Sequence, residues 1–409
     1  MKKFDKNFNL IIIGQIISLF GNTILRFALS MTVLDKTGSI ALFATILAVS
    51  MIPTVLLSAF GGILADRINK RNIMVCLDFC TSLLIFLFIL YFHLSGSIFS
   101  IGVIMLLLSI IQSFYQPSVQ SSIPLLVEEK SLMTANGLVI QVNALANLLG
   151  PIIGGFLYGF LGLYPILFTS GICFLASAIM EIFIHIPHTK RKKEISIWKT
   201  IQTDLKEAGH FLWKEQKNVL KLLAVIAGIN FFLSAMIMIG LPYMIKILLK
   251  FNNQWYGVIE AALGIGSILG GLTAGLLAKK IPFKKSYLLL LGASIFLLPI
   301  GIAIIGTKWA YLSYFTILIS SILVMACATL FSIYGQTVMQ KLTPVHLLGK
   351  VASVVTVISM CALPLGQALY GGLFDWAKGN AFVIVFLSAF ICIIISLISK
   401  KFLCKIEEK

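Results

Sequence analysis

The chain has 409 residues, of which 59% are hydrophobic and 11% charged, with a mean hydropathy of +1.01. A soluble globule carries about 25% charged residues, so the composition excludes a water-soluble domain and assigns the chain to lipid. The net charge of +17 does not mark a nucleic-acid binder: of the 32 Lys and Arg, 26 fall on one alternating set of loops and the termini, five on the other set, and one, Arg26, inside an apolar segment.

That one-sidedness follows the positive-inside rule and places both termini in the cytoplasm of a bacterial-type inner membrane. Each bilayer crossing needs about 20 apolar residues, and the apolar segments number twelve. The first six helices are predicted at Phe8–Leu34, Ser39–Leu64, Ile73–Leu94, Ile98–Leu126, Leu132–Phe160 and Tyr164–Ile186. The first segment is too long for a cleavable signal peptide. A polar stretch, His185–Lys221, then bisects the chain and carries nine Lys and Arg. Within it Trp198, Ile201, Leu205, Phe211 and Leu212 recur at near-helical spacing among Lys199, Asp204, Lys206 and Glu207, which predicts an amphipathic helix lying on the inner membrane face. The last six helices are predicted at Val219–Leu249, Gln254–Ala278, Lys285–Ile305, Trp309–Leu342, Leu348–Trp376 and Asn380–Phe402. The domain reading is therefore 1–186, a linker at 187–218, and 219–409. The loops assigned to the outside, such as His93–Ser97, are short and nearly uncharged.

Six residues carry the densest charge in the first half. After an uncharged run from Thr37 to Ala65 come Asp66, Arg67, Lys70 and Arg71, preceded by Gly61-Gly62. So short and so charged a link between two membrane-length segments is a loop at the cytoplasmic surface. A faint repeat follows: Gly270-Gly271 with Lys279-Lys280 mirrors this stretch about 209 residues on, and Gly371-Gly372 echoes Gly154-Gly155 217 residues on. Two related halves predict a parallel repeat about an axis normal to the membrane, with a substrate site between the halves near the midplane.

The pattern Gly62-x-x-x-Asp66-Arg67-x-x-Lys70-Arg71 resembles the loop between helices 2 and 3 of the major facilitator superfamily, with Asn69 in place of a Gly and Lys70 in place of an Arg. Asn is expected to take the left-handed backbone that Gly would take. The resemblance implies an all-α integral membrane protein of twelve transmembrane helices, two six-helix halves related by a pseudo-two-fold axis. It also implies that Asp66 and its neighbouring cations latch the halves on the cytoplasmic side. Asp78, one turn into helix 3, is assigned to the network of Arg67 and Arg71. In helix 5, Gly137-x8-Ala146-x3-Gly150-Pro151-x2-Gly154-Gly155 is similar to a motif of major-facilitator exporters, with one Ala for Gly. Small residues at such spacings let helices approach closely. By resemblance this face packs on helix 8, which supplies Gly264, Gly266, Gly270 and Gly271. Tyr115-Gln116-Pro117-Ser118, Ile123-Pro124-Leu125-Leu126-Val127 and Asp204–Trp213 resemble the macrolide-efflux type branch. Helix 4 lacks the Arg that many proton-coupled exporters carry there and offers Gln112 and Gln116.

Charges inside spans are costly unless paired or wet. Arg26 precedes Leu34 by eight residues, about 12 Å, and Glu260 lies six residues into helix 8, about 9 Å. These matching depths suggest one polar network in which Glu260 exchanges a proton; a structural ion pair or snorkelling side chain is the other reading. Asn22, Gln112, Gln116, Asn230 and Gln336, with Phe27, Phe231, Phe232 and Tyr334, are candidates to line a cavity, or else to join helices. Glu181, near the inner end of helix 6, is expected to snorkel. Seven Cys, nearly all in apolar stretches, read as small hydrophobes, without a metal-ligand constellation.

No phosphate-binding loop and no catalytic constellation are present in the sequence. The expectation is a monomeric, non-enzymatic secondary transporter without cofactor, using the proton gradient to export a small amphipathic organic compound. Alternatives on the same fold are an importer or a mover of lipid-like or siderophore-like molecules. A non-transporting membrane sensor is a further alternative.

Overall fold

The computed structural model describes residues 5–128, 131–186, 207, 209–277, 283–305, 309–344, 347–377 and 380–403. Lipid offers no hydrogen-bond partner to the backbone, so apolar runs of this length satisfy their amides internally as helices. The first six are α1 (Lys6–Thr37), α2 (Ile40–Arg67), α3 (Lys70–Ser95), α4 (Ile98–Leu126), α5 (Leu132–Leu161) and α6 (Leu163–Ile182). Then come α7 (Lys217–Leu248), α8 (Asn253–Leu277), α9 (Tyr287–Ala303), α10 (Ala310–Leu342), α11 (Leu348–Ala377) and α12 (Ala381–Leu403). Among the described residues, eleven helices are long and apolar enough to cross a membrane, and α9 is a shorter apolar helix. α9 is interrupted at Phe296. α7 contains two π-helical stretches, Asn230–Ser234 and Tyr243–Leu248.

Glycine follows the last residue of α1, α3 and α5. Gly38 (φ 62°) and Gly96 (φ 60°) adopt the left-handed conformation and donate their backbone N–H to the carbonyls of Leu34 and Phe92, which closes the last turns of α1 and α3. The link between α3 and α4 is accordingly tight.

The helices fall into two compact units. One holds α1, α3 to α6 and α2 from Val49 onward; the other holds α7 to α12 together with Ser39–Ala48. Within the first unit α1 packs on α5 and on α6, and α3 on α6. Within the second, α8 packs on α10, α9 on α12 and α7 on α11. Several of these packings are backbone-close. A Cβ on Gly61 would lie 2.1 Å from the Ser113 carbonyl oxygen of α4. One on Gly270 would lie 2.6 Å from the Ala326 carbonyl oxygen of α10. The sequence repeat thus appears as a repeated contact, α2 on α4 and α8 on α10. Gly150 against Thr23 of α1 is echoed in the same way by Gly366 against the Phe231 carbonyl of α7.

Of the expected amphipathic stripe, Trp198, Ile201 and Leu205 fall outside the described residues. Its last two positions are covered by protein rather than by a membrane face. Phe211 (3% exposed) and Leu212 (2%) sit in the core of the second unit with Val219, Leu222 and Val338. Glu207 pairs with Lys350 of α11.

Candidate functional site

The charged link between α2 and α3 is two residues long, Ile68 and Asn69. Asn69 does not take a left-handed backbone. It has φ −60° and ψ 115°, and its side chain accepts the N–H of Arg71 at 3.1 Å. Asn replaces Gly here as a helix N-cap, satisfying one of the free amides that begin α3. The Arg71 guanidinium donates to the Ile182 carbonyl at the end of α6, a site where unpaired carbonyls and the helix dipole favour a cation. Arg67 is exposed, Lys70 half-buried, and Gly62 has open space where a side chain would be. Asp66 lies in the last turns of α2, and its side chain is outside those described.

Asp78 does not join this loop network. It is 2% exposed and accepts a hydrogen bond from the Ser18 hydroxyl of α1 at 2.7 Å. Ser18 Oγ lies 3.0 Å from Ser177 Oγ of α6, whose hydroxyl donates to the Gly14 carbonyl at 3.3 Å. One turn along α6 is Glu181, which does not snorkel: it is 1% exposed and accepts from the Tyr115 hydroxyl of α4 at 2.7 Å. Four helices therefore bring two carboxyls into one buried cluster. The sequence reading missed this because each carboxyl sits near a helix end, where a long side chain ordinarily reaches water. A usable signal was present in the Ser177–Glu181 spacing of four, which puts hydroxyl and carboxyl on one face.

Arg26 is held within the first unit. Its Nε donates to Asn22 Oδ1 at 3.3 Å, and its Nη2 to the Met105 carbonyl at 3.4 Å and to the Ser109 hydroxyl. Glu260 is held within the second unit, where the Tyr256 hydroxyl donates to it one helical turn away. The paired network expected from their depths joins residues of different units, and each has partners in its own.

The glycine stripes of α5 and α8 also find partners within their own units. In α5, a Cβ on Gly150 would come within 2.1 Å of Thr23 Oγ1, and one on Gly154 within 3.1 Å of Phe27, both in α1. Ala146 packs with Leu19 of α1. Pro151 stands inside α5, which continues through it, and Gly155 is buried. Gly137 faces open space. In α8, Gly266 and Gly270 close on the backbone of α10.

The candidate cavity residues divide. Asn22 is the anchor for Arg26. Phe27 is 8% exposed and packs on Gly154 rather than standing as a free wall. Gln112 is half-buried, and Gln116 is too, its side-chain nitrogen enclosed without a partner. Asn230 opens the first π-helical stretch of α7 and accepts from Ser234 at 3.4 Å. Phe231 meets Phe232 edge-on at 4.7 Å. Tyr334 belongs to the apolar core of the second unit, and Gln336 is exposed. The widened π turn at Asn230 is the kind of helix irregularity that occurs at functional sites. Among the described residues, six Cys are free thiols, Cys76 and Cys80 being exposed on α3.

Residues 11–366 match the model of the Major Facilitator Superfamily. The chain belongs to this superfamily. Among curated members, it is 24% identical over 385 residues to macrolide efflux protein A of Streptococcus pyogenes, covering 93% of both chains. It is 21% identical over 286 residues to an uncharacterized transporter of the superfamily, YfmI, from Bacillus subtilis, covering 68% of this chain and 67% of that one. Among solved structures, the nucleoside transporter NupG aligns with a TM-score of 0.69 at 13% identity, over 97% of this chain and 99% of that one. A bacterial homologue of the iron transporter ferroportin aligns with a TM-score of 0.70 at 15% identity, over 97% and 98%. This superfamily member is thus a multi-pass membrane transporter of small molecules, and its relatives include the macrolide-efflux type anticipated from helix 4.

Proposed function

We propose that this transporter exports a small amphipathic organic compound across the bacterial inner membrane in exchange for protons. The observation that carries the reading is similarity to a macrolide efflux protein over 93% of the chain. The exporter-type glycine motif of α5 supports it. Its small residues fit α1 against α5 at Thr23 and Phe27, an interface that leaves no room for larger side chains. The charged link at Asp66, Arg67, Lys70 and Arg71 acts as the cytoplasmic latch, and Glu260 with Tyr256 as one site of proton exchange. Both termini face the cytoplasm, and the working form is a monomer. Fold alone does not choose the solute, since solved structures of the same architecture include a nucleoside transporter and a bacterial homologue of an iron transporter.

The test is accumulation of fluorescent macrolide-like and other amphipathic compounds in cells with and without the gene. Expressing cells are expected to hold several-fold less of a true substrate, and a proton uncoupler to abolish the difference. Extrusion that survives collapse of the gradient, or higher accumulation in expressing cells, overturns the reading.

A further inference from the structure

We propose that Asp78 and Glu181 form a proton-binding site inside the first unit, with a proton seated on the carboxyl pair at neutral pH. Both side chains are enclosed, at 2% and 1% exposure. Ser18, which donates to Asp78 at 2.7 Å, lies 3.0 Å from Ser177, one helical turn before Glu181. Two anions so placed repel each other and have lost their hydration, a state that stands only with compensating charge.

The surrounding groups do not supply that charge as an ion pair. On α3, Arg71 is turned to the Ile182 carbonyl and Lys70 lies further out. On α1, Arg26 is bonded to Asn22, Met105 and Ser109, two turns beyond Ser18, and Lys6 begins the helix. The ionisable groups of α4 and α5 are Tyr115 and Tyr158, and α6 adds Tyr164 and Cys173. His185, just past α6, faces the Phe183 carbonyl. Among the described residues, neither carboxyl has an ion-pair partner.

Two enclosed polar groups point to what is bound. Glu181 Oε2 has no hydrogen-bond partner, although Oε1 is held by Tyr115. Gln15 of α1 is fully buried, and neither its amide oxygen nor its nitrogen is bonded. It lies on the helix face between Ile11, which packs on Tyr115, and Ser18, which bonds Asp78. A proton on the pair removes one of its two charges and with it the need for a counter-charge; the carboxylate accepts H⁺ and releases it unchanged. Glycine at 14 admits the group, since a Cβ there would sit 3.5 Å from Glu181 Oε1 and 3.3 Å from Ser177 Oγ. The site gives a proton gradient a place to act in the first unit, and only that use rests on the proton-driven reading above.

Infrared difference spectra of the full-length protein in nanodiscs, recorded from mildly acidic to alkaline pH, test the site without transport. The wild-type protein is expected to show a protonated-carboxyl C=O band at neutral pH that shifts in D₂O and fades at alkaline pH. Asp78→Asn/Glu181→Gln should lose one carboxyl's intensity, while the variant of an exposed carboxyl, Asp375→Asn, keeps it. If the double variant does not fold, Glu181→Gln alone replaces it, since the amide keeps the shape and removes only the acid. A wild-type protein without the band, stabilised by sodium but not choline chloride, would mean that a metal cation holds the charge and would overturn the proposal. A band that persists in the variants does so too. Efflux that resists the uncoupler removes the transport reading yet leaves the band in place.

Discussion

Asn69 occupies a position where the family pattern has glycine, and the reason lies in one hydrogen bond rather than in backbone freedom. Its extended backbone (φ −60°) needs no glycine, and its side chain holds the Arg71 amide. Replacing an N-cap Asn by Ala costs about 1 kcal/mol, and by Gly only a few tenths. Asn69→Ala is therefore expected to lower the midpoint of thermal unfolding in detergent measurably, and Asn69→Gly to leave it almost unchanged. Stabilisation by Gly would mean that the backbone there does prefer the left-handed region. At this scale the sequence was legible where a residue's type alone implies its place, as with the loop cations. It was not legible for Asp78 and Glu181. Ser18, Asp78, Tyr115 and Glu181 come from four helices, and no spacing within one helix announces which side chains meet across an interface.

Helices α5 and α8 show the same division one level up. The stripe Gly150–Gly154 was visible as a surface made for close approach, but its partner was not, because small residues carry no mark of what they press against. The structure sets it on α1. A methyl at Gly150 has no room beside Thr23, whose Cβ would lie 2.5 Å away, whereas Gly137 faces open space. Overpacking of this kind costs about 1–3 kcal/mol. Gly150→Ala should reduce stability by that order in a thermal or denaturant melt, with Gly137→Ala as a control near zero. Equal midpoints for the two would show that α1 yields freely at this contact. The repeat offsets seen in the sequence also acquire content: Gly61 and Gly270 each touch a carbonyl of the helix two places on.

Over the whole chain, hydropathy gave the order and approximate limits of the apolar helices, because a run of apolar residues is set directly by the solvent around it. The orientation implied by the distribution of Lys and Arg is open to direct measurement. In a background with the native Cys replaced by Ser, Ser95→Cys is expected to react with a membrane-impermeant maleimide in intact cells. Glu128→Cys should react only after permeabilisation; both positions are exposed. The reverse pattern would invert the topology. Where the linker helix was expected to lie on lipid, Phe211 and Leu212 instead complete a helical core, since an apolar stripe looks the same whether bilayer or protein covers it.

Helix α9 differs from its neighbours in length. From Tyr287 to Ala303 it rises about 26 Å at 1.5 Å per residue, against a hydrocarbon thickness of about 30 Å. Acyl chains along that flank must shorten, or polar groups at its ends must be drawn inward, at a modest cost for every ångström of mismatch. This side of the protein therefore carries a preference for thin, short-tailed membrane that the longer helices do not share.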